Sequence, residues 1–225
     1  MKIANTISLL LILWVLPGCD YTPPLSDLTE AGNYHEAGEY AKAKKHYEAA
    51  LERLSSVSLY RPIEYQTRYS YGLMLNEYAK EDHPELIPLA REQLEWVLAY
   101  LEKEDEWITT KAMALSTLAN TYQQEAGYSE DETRYYQLLE KAFAMYSEAA
   151  EELARNQDWH NLAYTYYNLG QTADWYGDLP EAILWLEKAV ELDKRYGFTE
   201  DLEEDSAYLV KLRSKQEKRL ETPSG

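Results

Sequence analysis

The 225-residue chain is long enough for one or two domains with sizeable cores, and its 40 acidic against 22 basic residues give a formal net charge of −18. That balance argues against a nucleic-acid backbone or an anionic headgroup surface as the main partner, since either needs clustered Lys and Arg; it suits a protein or peptide partner that is neutral or basic. A single cysteine cannot close an intramolecular disulfide, so stability must come from packing, with 21 Tyr and 6 Trp available as amphipathic filling for helix interfaces.

The first element is a leader. After "MKIANT", the run from Ile7 to Pro17 is apolar apart from Ser8. It is too short to span a bilayer, which takes about 20 residues, and has the length of a signal-peptide core. It ends in Leu16-Pro17-Gly18-Cys19, which resembles the lipobox of bacterial lipoproteins. The resemblance implies removal of residues 1–18, lipidation of Cys19 as the new N-terminus, and anchorage in a lipid bilayer through acyl chains. A thiolate is the nucleophile such a transfer requires, and more than one chain makes the anchor stable. Pro17 departs from the Ala or Ser usual in that motif. Asp20 occupies the place that, in Gram-negative members, resembles an inner-membrane retention signal, implying a cell-envelope location facing the periplasm. Residues 19–26, with Pro23 and Pro24, read as a tether.

From residue 27 to 221 the hydrophobic period is helical almost throughout. The first unit, 31–52, carries Ala31 and Tyr34 before a Gly38-Glu39-Tyr40 turn and Ala43, Tyr47 and Ala50 after it. In the second unit, Gly72 and Leu75 precede Ala90, Leu94 and Val97. Asp82 is the expected cap of its later helix, with Pro84 and Glu85 following and Pro88 placed to bend it. The third sets Leu115, Leu118, Ala119 and Tyr122 against Ala142, Tyr146 and Ala149; Ser129 with Glu132 predicts a capped helix of about 25 residues. The fourth, 163–196, places Tyr166, Leu169, Gly170 and Ala173 ahead of a Gly177-Asp178 turn, then Ala182, Leu186 and Ala189. Gly170 and Ala182 allow two helices to approach closely, and Asp178 with Pro180 and Glu181 is a helix-start signature. Residues 199–220 form one more amphipathic helix, with Thr199 as its expected cap, acidic at its start and basic at its end as the helix dipole favours. Thr222 to Gly225 are expected to fray.

The fourth unit resembles a tetratricopeptide (TPR) repeat along its whole length, with Lys194 where the motif has Pro and Tyr166 where it prefers Trp. The three upstream units carry the same pattern at longer spacings, the small residues Ala31, Gly72, Ala119 and Gly170 lying 41, 47 and 51 apart. The resemblance implies an all-α fold: a TPR-like right-handed superhelix of about four antiparallel helix pairs, with the last helix as its cap. It also implies a concave groove lined by the first helix of each pair. By motif position the groove candidates are Tyr69 and Glu77; Ser116, Asn120 and Gln123; and Tyr164, Tyr167, Asn168, Gln171, Asp174 and Trp175. Such amides suit a peptide backbone, and such rings supply flat contact area. The alternative for Tyr167, Trp175 and Trp159 is support of neighbouring helices. This set lacks the Lys and Arg with which family members clamp a terminal carboxylate.

No phosphate loop, serine elbow or HExxH motif is present, and His35, His46, His83 and His160 show no metal spacing. The expectation is a non-enzymatic protein without metal, cofactor or small-molecule substrate: a membrane-anchored scaffold or adaptor in a bacterial envelope assembly. The alternative is a structural module that self-associates into homo-oligomers.

Overall fold

The structure, a computed structural model, describes residues 24–102 and 108–221. The leader, Cys19, Asp20, most of the tether and the tail at 222–225 lie outside the described residues.

Among the described residues the helices are α1 (Leu25–Glu36), α2 (Tyr40–Leu54), α3 (Arg61–Ala79), α4 (Ile87–Leu101), α5 (Ile108–Gly127), α6 (Glu132–Arg155), α7 (Trp159–Tyr176), α8 (Leu179–Tyr196) and α9 (Thr199–Glu221). They stack as antiparallel pairs α1–α2, α3–α4, α5–α6 and α7–α8, closed by α9, in the right-handed TPR-like superhelix. Helix α1 starts at Leu25, inside the stretch expected as tether, with Pro24 immediately before it. No helix among the described residues is long and apolar enough to cross a membrane.

Within each pair, small residues set the approach. A β-carbon on Gly170 would collide with Leu186 Cδ2 and lie 3.1 Å from the Ala182 carbonyl oxygen; one on Gly72 would lie 2.9 Å from Leu94 Cγ. Ala43, Ala90, Ala142 and Ala182 are all fully buried, so α2, α4, α6 and α8 present equivalent small residues to their partners. The pairs are joined into one stack by shared apolar clusters. One runs from Leu94 through Tyr122 and Tyr146 to Leu169 and Leu192. Another carries Ala173 and Leu186 on to Leu209 and Leu212 of α9. Tyr122 is flanked by two cations, Arg91 at 3.9 Å and Lys141 at 4.2 Å from its ring centre.

The caps follow the chemistry, though not always the expected residue. Asp178 accepts the Glu181 N–H at 3.1 Å, with Pro180 in the first turn and Gly177 in the left-handed region at φ 98°. Helix α6 runs 24 residues, but its cap is Asp131, which accepts the Arg134 N–H at 3.1 Å; Ser129 hydrogen-bonds the Asp131 carbonyl instead. Asp82 is not a cap: it adopts φ 64°, and a 3-10 turn over Pro84–Leu86 separates it from α4. Pro88 therefore falls in the first turn of α4, where a missing N–H costs nothing, rather than at a bend. Thr199 lies inside α9, whose first turn hydrogen-bonds back to the Phe198 carbonyl.

Candidate functional site

The first helices α3, α5 and α7 lie side by side along the concave face, and polar side chains join them laterally. Asn76 of α3 donates to Asn120 Oδ1 of α5 at 3.0 Å, and the Gln124 amide donates to both Asn120 Oδ1 at 2.6 Å and Asn76 Oδ1 at 2.7 Å. One step further, Gln123 donates to Gln171 of α7 at 3.1 Å while its own carbonyl accepts the Tyr146 hydroxyl at 3.2 Å. Ser116 and Thr165 hydroxyls meet at 3.4 Å. Buried polar groups need such partners, and this ladder supplies them between helices.

Of the expected groove residues, Ser116, Asn120 and Gln123 are buried in this ladder, so their side chains brace adjacent repeats. Glu77 of α3 bonds His35 of α1 at 2.7 Å, extending the tie to the first pair. At the other end α9 reaches over the face. Tyr167 donates to Glu204 at 3.3 Å, Tyr208 donates to Asp174 at 2.9 Å, and Lys215 pairs with Asp174. Burial, followed by the Glu204 carboxylate, pushes the Tyr167 phenol up to about 12.

What remains open is aromatic. Tyr164 is 52% exposed and Trp175 is 37% exposed, marking the two ends of a stripe on α7 that also holds Asn168 and Gln171. Tyr69 of α3 and Tyr167 lie close enough to Tyr164 for its phenol to add to the upward shift that burial gives each of them. Glu77 acts on Tyr69 in the same sense. Phenols from α3 and α7 thus converge beside carboxylates. Asn168, between Tyr164 and Gln171 in this stripe, is 3% exposed and its Nδ2 has no acceptor among the described residues; Gln124 Oε1 is likewise a buried acceptor without a donor. Trp175 supports neighbouring helices, its ring lying against Gly127 and its carbonyl accepting the Tyr135 hydroxyl at 2.8 Å. Trp159 stacks on Tyr196, away from this stripe.

Motif position identified the stripe but missed Asn76, Gln124 and Thr165 as lateral ties, and Glu204, Tyr208 and Lys215 as an end wall. Their signal was the run of amides and hydroxyls at inward positions of successive first helices. Among the described residues no group of three or more His, Cys, Asp or Glu is placed to hold a metal ion.

No family model matches the sequence, and no curated protein matches it. Solved structures do match in fold. The nearly identical TPR-like repeats of a Podosopora anserina protein described as a kinesin light chain superpose with TM-score 0.59 at 14% identity, covering 87% of this chain and 98% of that one. BtubC (BKLC) from P. vanneervenii gives 0.56 at 17% identity, covering 86% and 80%. The Rap conjugation gene regulator of plasmid pLS20, solved with the Phr* peptide, gives 0.57 at 15% identity over 95% of this chain and 60% of that one. The antiparallel pairs, the closing helix and these superpositions agree: the chain has a TPR-like helical-repeat fold.

Proposed function

We propose that this protein is a scaffold that holds an extended, neutral or basic segment of a partner protein in its concave groove, tethered to a bacterial envelope membrane by lipid on Cys19. The observation that carries the groove reading is the Asn168 amide, buried with an unused donor beside the exposed Tyr164 ring. An unsatisfied buried donor costs about 1–3 kcal/mol, and a backbone carbonyl of a bound segment, entering as Tyr164 moves aside, relieves it. Gln124 Oε1 offers the complementary acceptor for a backbone N–H. Carboxylates of Glu77 and Glu204 near the phenols favour a cationic or neutral ligand over an acidic one. The similar fold of the Rap regulator, solved with a peptide, supports a peptide ligand for this architecture.

The test is a crosslinked pull-down from the native cell, comparing wild type with a Tyr164→Ala/Asn168→Ala double variant. The double variant should lose a discrete partner; an identical partner set for both proteins contradicts the groove. For the tether, intact mass of the membrane form should show a chain beginning at Cys19 with added acyl mass. An unmodified chain beginning at Met1 in the soluble fraction contradicts it.

A further inference from the structure

At the turn from α7 to α8, the second helices α6 and α8 part around the end of α7 to leave an open cleft of about 230 Å³. Its floor is apolar, built from Leu139, Phe143 and Ala173, and its rim carries Glu140, Asp178 and Glu181. The volume is below the ~300–1,000 Å³ of ordinary small-molecule pockets and is of the size that receives one large side chain.

The rim carboxylates are held in place yet not neutralised. Glu140 accepts the Tyr176 hydroxyl at 3.1 Å, Asp178 caps α8, and Glu181 accepts the Trp185 indole N–H at 3.4 Å. Among the described residues none of the three is in an ion pair, although Lys and Arg elsewhere on the chain pair with carboxylates at Glu64, Glu125, Asp174 and Glu187. The N-terminal dipole of α8 offsets part of the charge of Asp178 and Glu181, which leaves Glu140 as the least compensated. Carboxylates around an apolar floor concentrate negative potential over it.

We infer that this cleft is a second docking site, which takes a basic segment of another protein by seating one Leu- or Phe-sized side chain on the floor with flanking Lys or Arg at the rim. A second copy of this chain is a poor occupant, because it brings a net charge of −18 to an already acidic face. Its lining shares no residue with the concave groove, so the two can be filled together.

The probe is a fluorescein-labelled peptide KKLKKFLK, with KKSKKSSK as its equally charged, non-apolar counterpart, measured by anisotropy in 150 mM salt. Ala144 is an exposed residue of the cleft lining, so Ala144→Trp fills the space without altering charge; circular dichroism checks that the variant folds. The expected result is binding of the apolar peptide to wild type, at least tenfold weaker binding to Ala144→Trp, and several-fold weaker binding to Glu140→Gln/Glu181→Gln. Leu59→Ala, at an exposed position outside the cleft lining, should bind as wild type does. Equal binding by wild type and both cleft variants, equal binding of the two peptides, or no binding to wild type each overturns the site. Loss of binding in Tyr164→Ala with Ala144→Trp unaffected also overturns it, by sending the basic peptide to the groove.

Discussion

Gly32 and Gly170 both stand inside helices, and their surroundings differ. Nothing lies within 4 Å of a β-carbon built on Gly32, whereas one on Gly170 meets Leu186 and the backbone of Ala182. Gly32→Ala should raise stability by about 0.5–1 kcal/mol, and Gly170→Ala should lower it by about 1–3 kcal/mol, as read from thermal denaturation. A second residue-scale feature is the carboxyl pair Asp193 of α8 and Asp205 of α9. Asp193 is 0% exposed with no donor for either oxygen among the described residues, and Asp205 is also buried. Burial, and for Asp205 also the facing Asp193 charge, pushes the pair up to about 6 and about 8, with Asp201 and Glu204 of α9 adding to the rise and His160 of α7 opposing it at Asp193. Both values exceed the ~3.9 of an unfolded Asp, so the folded chain holds more protons than the unfolded one between about pH 4 and 8. Stability from this pair is therefore lost as pH rises through that window. Asp205→Asn should flatten the decline and stabilise the protein at pH 8 by roughly 1–3 kcal/mol relative to wild type. Parallel wild-type and variant stability curves across pH 5–9 would refute the upward shift of this carboxyl pair.

At the scale of elements, the start of α6 shows what sequence reading reaches and where it stops. The stretch "SEDETR" holds several residues able to cap, and the Ser129–Glu132 spacing fits a capping box as well as the pairing that forms. Asp131 takes the role with an extended backbone directly before the first turn, φ −87° and ψ 112°. Asp131→Ala should cost about 1 kcal/mol and Ser129→Ala less than about 0.5 kcal/mol in chemical denaturation. The turn at Gly177-Asp178 was legible because a left-handed glycine, a cap and a first-turn proline coincide there without competitors. The helix pairs were legible for a similar reason, since small residues at a fixed period leave few ways to pack. The lateral amide ladder was not. Periodicity places Asn120 and Gln123 on the inward face, but whether they point into the groove or sideways to Asn76 and Gln171 depends on how α3, α5 and α7 lie against one another. The covering of Tyr167 and Asp174 by α9 was hidden for the same reason, being a contact between residues 34 to 41 positions apart.

For the whole molecule, a stack of pairs needs its last apolar face closed, and α9 does this with Leu209 and Leu212 against Ala182, Ile183 and Leu186. Leu212 is fully buried, so Leu212→Ala should cost about 2–5 kcal/mol; a chain ending at Phe198 should associate or aggregate in size-exclusion chromatography where the full chain does not. The same helix covers Tyr167 and Asp174 of α7, which leaves Tyr164 as the most exposed ring of the stripe, while the α6–α8 cleft is lined by none of the groove residues. The proposed function places the chemistry of this stack in its surfaces. Its most direct test is a photo-crosslinking amino acid placed at position 164 in the native cell, with position 59, exposed in the turn between α2 and α3, as the control. The account expects a discrete crosslinked protein at 164 that is absent at 59 and lost when Asn168→Ala is added. No adduct at 164, or the same adducts at both positions, would contradict it.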